Sequence, residues 1–250
     1  MQDLTFEQLC TLWLASSKHL SWKAFENLIR FYGSAAETYQ HFKATYSEQI
    51  GEKACRELLT LQKRGIDMLP AALDTLKCSL LFPPDDTYPS LLKQIYDPPH
   101  LLYALGSGAP DTKSVAIVGS RRDTRYGRSQ AFSIARDLAS AGITVISGLA
   151  RGIDTAAHEG ALAGGGRTVA VLGCGIDRIY PEENKPLAAK IIEHGGAVIS
   201  EFPLNSEPLA HHFPIRNRII SGMSAAVLLI EGGEKSGTMI TANYAAEQGR

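Results

Sequence analysis

The sequence has no excess of either charge: 25 Lys and Arg against 26 Asp and Glu leave a formal net charge of −1. A protein that coats polyanions through a global basic field is thereby excluded. Any polyanion-binding surface must be a local concentration of Arg and Lys. Cysteine is scarce as well. Cys10, Cys55, Cys78 and Cys174 form no C-x-x-C pair, which argues against a zinc ribbon or a redox dithiol and for reduced thiols in a cytoplasmic protein. No apolar run approaches the ~20 residues that span a bilayer, and no charged-then-apolar signal pattern opens the chain. A cytoplasmic location without a membrane partner is the expectation. Dense aromatic runs suited to base stacking are missing too; Tyr126 and Tyr180 are the well-placed candidates. His211 and His212 lack the spacing to other ligands that a metal needs, so neither a metal nor a cofactor is expected.

What is present describes an ordinary globular chain. Its 250 residues, 44% hydrophobic and 20% charged, can bury one large core or a core plus a smaller domain. Residues 1–74 read as a small all-helical domain of three to five helices. Leu9, Leu12, Trp13, Phe25, Leu28, Ile29 and Phe31 recur at three- and four-residue spacings, with Gly33 and Gly51 as punctuation. Lacking a basic face, this segment reads as a packing or interaction domain rather than a DNA contact. Residues 75–113 form a proline-rich lead-in (Pro83, Pro84, Pro89, Pro98, Pro99, Pro110) with short strands predicted at 79–82 and 101–105.

From Ser114 the pattern alternates. Strands are predicted at 115–118, 144–147, 168–172, 197–200 and 226–230. Helices are predicted at 126–141, 153–163, 182–193 and 208–221, with another from Ser236. Near-continuous apolar strands mean burial on both faces, as in a doubly wound, mostly parallel α/β sheet.

In such sheets ligands bind beyond the carboxyl ends of the strands. The loops there are Gly119-Ser120-Arg121-Arg122, Ser147-Gly148-Leu149-Ala150-Arg151-Gly152, Gly173-Cys174-Gly175, Ser200-Glu201-Phe202-Pro203, and Glu231-Gly232-Gly233-Glu234-Lys235-Ser236-Gly237-Thr238. Glycine lets backbone approach a ligand closely, and an Arg fork suits phosphate oxygens. Arg216-Asn217-Arg218, just ahead of the fifth strand, reads as part of the same rim. Known fingerprints fail: Gly173–Arg178 lacks the last glycine of a dinucleotide motif, and Gly237-Thr238 lacks the lysine of a Walker loop. Asp154 reads as a helix cap, His158 as a structural histidine, and Cys174 as a small packing residue.

These residues closely resemble the DNA-processing protein A (DprA/Smf) family. The matching text is A-I-V-G-S-R (116–121), Y-G (126–127), S-G-L-A-R-G-I-D-T-A-A-H (147–158), A-V-L-G-C-G-I-D (170–177), Y-P-E-E-N (180–184), S-E-F-P (200–203), F-P-I-R-N-R-I-I-S-G (213–222) and E-G-G-E-K-S-G-T (231–238), all collinear. The resemblance implies an extended Rossmann-like, doubly wound domain at 114–250, preceded by a small helical (SAM/helix-hairpin-helix-like) domain. It further implies a non-enzymatic single-stranded DNA-binding protein of natural transformation that protects incoming strands and loads the RecA recombinase. Self-association as a homodimer is implied too. The letters stop at Arg250 inside the last predicted helix, where similar proteins continue into another strand. A truncated last domain, without a C-terminal winged helix, is therefore expected.

Read together, the residues and the resemblance assign phosphate neutralisation to Arg121, Arg122, Arg151, Lys185, Arg216 and Arg218. Turn amides of Gly119, Ser120, Gly148, Gly237 and Thr238 would hold single oxygens. Ser147, Gly173, Asn217 and Ser236 complete the candidate set. Two other readings compete. The last loop is similar to that of nucleoside-monophosphate phosphoribohydrolases, but Thr241 stands where their catalytic glutamate belongs. A non-catalytic scaffold working through residues 1–74 is the other.

Overall fold

The computed structural model describes residues 3–107, 113–233 and 236–250. Pro110 of the lead-in and Glu234 and Lys235 of the last loop lie outside the described residues. The chain opens with six helices, α1 (Phe6–Ala15), α2 (Trp22–Tyr32), α3 (Ala35–His41), α4 (Ser47–Ile50), α5 (Glu52–Arg64) and α6 (Leu69–Thr75). Their starts follow from local chemistry. Thr5 and Gln8 form a reciprocal capping box on α1, and Ser21 and Ser34 cap α2 and α3 through their hydroxyls. The count exceeds the three to five expected, because positive-φ glycines at 51 and 65 break the second half into short pieces. Trp13, fully buried, anchors this core and donates its indole N–H to the Leu58 carbonyl at 2.9 Å. Leu12 and Leu73 instead pack with Leu80, Tyr103 and Val198, which joins the helices to the sheet.

The sheet has seven strands: β1 (Ser79–Leu81), β2 (Leu102–Gly106), β3 (Ser114–Gly119), β4 (Thr144–Ser147), β5 (Thr168–Leu172), β6 (Ala197–Ser200) and β7 (Ala226–Ile230). Their spatial order is β1-β2-β6-β5-β4-β3-β7. The five strands from β6 to β7 are parallel, while β2 runs antiparallel to β6 and β1 to β2. The proline-rich lead-in thus does more than connect: it adds two strands to the sheet. Between them, Tyr88, Leu92 and Ile95 fold over one face, and the Tyr88 hydroxyl donates to the Pro99 carbonyl.

Helices α7 (Arg125–Ser140), α8 (Ile153–Ala163), α9 (Lys185–Glu193), α10 (His212–Gly222) and α11 (Gly237–Glu247) cover the parallel part. The period-two alternation of strand side chains divides the core between the two faces. Ile117 packs against Ala131, Ala135, Ile153 and Ala157 of α7 and α8. Its neighbours Ala116 and Val118 face Ile219 and Ile220 of α10 and Met223 at its end. This is the doubly wound, mostly parallel α/β sheet expected from the strand and helix spacing. Helix α10 starts later than expected, at His212 rather than Pro208. Among the described residues, no helix is long and apolar enough to cross a membrane.

Candidate nucleic-acid interface

Strand order decides where the loops meet. From β3 to β6 the strands are laid down in one direction, and β7 then returns to the other flank of β3. The loops after β3 and β7 diverge there and leave a crevice, the place where doubly wound sheets take ligands. A groove of about 640 Å³ occupies it. Gly119, Ser120, Arg121 and Arg122 line it from the first loop, Ser236, Gly237 and Thr238 from the last, and Arg216 and Asn217 from α10. Residues far apart in sequence thereby share one wall.

Two glycines allow close packing at the strand ends. A Cβ on Gly119 would run into the Ile230 carbonyl on the neighbouring strand. A Cβ on Gly148 would stand 2.6 Å from the Arg216 guanidinium and 2.7 Å from the Asp154 carboxylate. Arg216 therefore reaches under the second loop, where it donates to the carbonyls of Gly148 and Val171. It is 3% exposed. Burial pushes its guanidinium down to about 10, with Asp154 holding it up and Arg121 opposing. It keeps its charge at neutral pH. Asp154 is buried as well, and burial raises its carboxyl while Arg216 and the amides of Ala150, Gly148 and Gly119 pull it back. Arg216 Nε and Ser236 Oγ are buried polar atoms without a hydrogen-bond partner among the described residues. Both belong to groove-lining residues. A buried cation with spare donor capacity is costly unless an anion completes it.

Above this floor lie free cations. Arg121 and Arg122 are exposed, and among the described residues no carboxylate pairs with either. The Arg121 guanidinium sits 5.0 Å from the Phe213 ring centroid, and that of Arg216 lies 6.0 Å from the same ring. Tyr180 leans on Phe213 at 5.8 Å. A side pocket beside them is lined by Arg121, Gly148, Arg151, Tyr180 and Phe213. The first turn of α11 points Gly237 and the buried Thr238 into the groove, adding the positive end of a helix.

Other predicted residues stand elsewhere. Arg218 does not reach the groove. Two residues along a helix amount to about 200° of rotation at 3.6 residues per turn, so Arg216 and Arg218 leave α10 on nearly opposite faces. Arg218 is 2% exposed and bonded to Asp97 (2.8 Å) and, through two nitrogens, to Glu201 (2.8 and 2.6 Å). Those carboxylates outweigh burial and raise its pKa further. Arg151 lies on the rim of the side pocket but is forked to Glu183 at 2.7 Å through both contacts. Lys185 pairs with Glu182 at 2.6 Å at the start of α9. Ser147 is fully buried and donates to the Ile117 carbonyl, a strand tie rather than a ligand donor. Gly173 lies beneath the Phe213 ring.

Three residues escaped sequence reasoning. Phe213 sits three positions before Arg216, the spacing that places two side chains on one helix face, and this signal was available. Asp154 is no N-cap, that position being Gly152; it accepts from the amides of Gly148 (3.1 Å) and Ala150 (3.3 Å) and faces Arg216. Glu231 accepts from the Thr124 amide at 2.8 Å and from its hydroxyl, tying the last loop to the start of α7. Cys174 is buried, with its thiol pushed up to about 11 by that burial, so it is an inert packing group as expected. His158 is buried against the Thr168 hydroxyl at 2.7 Å.

Fold and groove together define a Rossmann-like sheet with an anion-suited crevice at its switch point, built without a dinucleotide or Walker fingerprint. The chain belongs to the family described as DNA recombination-mediator protein A, which its residues 79–250 match. Protein Smf of Escherichia coli K12 is 39% identical over 213 residues, covering 84% of this chain and 57% of that protein. DNA processing protein DprA of Bacillus subtilis is 38% identical over 205 residues, covering 81% and 65%. The chain thus spans less than two thirds of these relatives. The X-ray structure of DprA from Streptococcus pneumoniae superposes with a TM-score of 0.72 at 30% identity, over 99% of this chain and 85% of that one. A DprA structure from Helicobacter pylori, described for its unique single-stranded DNA binding mode, gives 0.60 at 32% identity over 69% and 78%.

Proposed function

We propose that this chain binds single-stranded DNA along the switch-point groove and acts as a recombination mediator of a DNA-processing pathway, without catalysing a reaction. One observation carries the reading: Arg121, Arg122 and the buried, under-satisfied Arg216 line a single groove with the N-terminal turn of α11. Such contacts grip sugar-phosphate backbone and carry little sequence information. The single-strand binding named for the Helicobacter pylori relative supports the polymer assignment. Thr241 at the position of the phosphoribohydrolase glutamate speaks against that alternative chemistry. In the cytoplasm the bound strand would be shielded and passed to a RecA-type recombinase, with a homodimer as the working unit.

The deciding experiment is a mobility shift with single- and double-stranded oligonucleotides of one sequence at two salt concentrations. Preference for the single strand is expected. Three or four neutralised phosphates give a log–log salt slope of about −2 to −3, at about 0.7 per phosphate. Equal binding of duplex, or binding insensitive to salt, rejects the reading.

A further inference from the structure

A second concavity, of about 500 Å³, lies on the other side of α10, between the helical segment and the sheet. Its walls differ in kind from those of the groove. Trp22 stacks on His100 with centroids 5.5 Å apart and 14° between planes, and His100 stacks on Phe25 at 3.9 Å and 6°. Tyr96 extends this column outward, 6.3 Å from Trp22 and 93% exposed. Across the cleft Phe202 stacks on His212 at 4.2 Å. Burial pushes His100 down to about 4 and also lowers His212, so both rings are neutral at pH 7. The floor carries two carboxylates, Asp97 and Glu201, clamped on the guanidinium of Arg218, and the exposed Lys18 and Lys23 stand on the rim. Its rings, rather than its charge, set this cleft apart.

The two concavities share a wall. Phe213 and Arg216 of α10 line the groove, while His212 and Arg218 line the cleft. A strand leaving the groove across the first turn of α10 meets the cleft at His212. We propose that this cleft takes unstacked bases of the DNA strand whose phosphates lie in the groove, an inference that rests on the single-strand reading above. Flat uncharged rings suit bases, and stacking on them tolerates any sequence because every base has a π-face. The ring column joins α2 to the lead-in, so the helical segment becomes part of the nucleic-acid site.

The chain supplies its own reporter. It has two tryptophans; Trp13 is fully buried among the helices, whereas Trp22 lines the cleft. The full chain is titrated with thymidine oligonucleotides of about six and about sixteen nucleotides, within ordinary single-strand footprints of about 4–16. Labelled-oligonucleotide anisotropy reports binding and tryptophan emission reports stacking. Both lengths are expected to bind, and only the longer to quench. Trp22→Phe removes the quenching. Tyr96→Ala, at an exposed ring whose loss leaves the circular dichroism unchanged, weakens the longer oligonucleotide by about tenfold and the shorter one not at all. A sixteen-mer that binds without quenching, or that binds Tyr96→Ala as tightly as the parent, overturns the cleft and leaves the groove standing. Failure of both lengths to bind overturns the two together.

Discussion

Two arginines separated by one residue on α10 have opposite fates. Arg216 turns under the second loop, meets one buried acid and keeps a buried Nε–H that no described residue accepts. Arg218 turns the other way and is gripped by two carboxylates. Burial is nearly equal, at 3% and 2% exposure. Solvent access therefore does not distinguish them. Partner count does: a guanidinium whose donors are filled by carboxylates is a structural clamp, whereas one left with a spare donor is suited to an anion, as the proposed function requires. The groove and the cleft inherit these characters, with exposed guanidinium groups on one side of the helix and stacked rings over a filled clamp on the other.

Substitutions can break this contrast, and the largest effect is expected at the clamp. Arg218→Met leaves Asp97 and Glu201 facing each other without their cation, and should destabilise by about 3 kcal/mol, the lower end for broken buried pairs, because both acids are partly exposed. Urea denaturation measures this; affinity of the folded variant for the six-nucleotide strand, which occupies the groove alone, should stay at the parental value. Arg216→Met should do the reverse. Asp154 can take up a proton once its cation is gone, since burial already raises its carboxyl. Single-strand affinity should then fall by about 1.5–3 kcal/mol, the worth of a charge-assisted contact, with a smaller loss of stability than at Arg218.

Arg121→Ala tests the exposed half of the groove. Affinity should drop within the same range of about 1.5–3 kcal/mol, and the salt slope should shrink by about 0.7. The denaturation midpoint should not move. Arg151→Ala should matter least, because its fork is already occupied by Glu183; an Arg151 effect as large as that of Arg121 would show that the pair opens to admit DNA.

Acid should act on the cleft side and on the core. His100 and His158 titrate below the ordinary histidine value, at about 4 and about 3, because burial disfavours their charged forms. Between pH 6.5 and 4 the unfolded chain binds protons at these sites that the folded chain does not. Stability is therefore fully present above pH 6.5 and is lost as pH falls through that window. His100→Phe keeps a ring in the column and cannot titrate. It should flatten the decline of the urea midpoint there, and an unchanged slope would exclude His100 as a source.

Much of the sheet was legible in the letters. The β-branched runs and the glycines after them place β3 to β7 almost to the residue, since a strand buried on both faces must be apolar throughout and must end where the backbone turns. The helical segment was harder. Residues 44–50 and 66–75 form short helical pieces whose existence depends on what they pack against, and periodicity does not count such pieces. Among site residues, Arg121, Arg122, Arg216, Ser236, Gly237 and Thr238 were readable from loop chemistry. Arg218 was misplaced for a reason that the helix repeat alone could have exposed. Lys185 and Arg151 carry the right charge, but only coordinates show that Glu182 and Glu183 have claimed them.

By itself the sequence determined the alternation of strands and helices, the glycine turns at the strand ends and the supply of guanidinium groups, because each follows from local sterics and short-range periodicity. The tertiary structure alone decided which guanidinium stays free. Pairing with a carboxylate 17 or 121 residues away, as Arg218 does, depends on strand order and on the face of a helix, and neither is a local property of the chain.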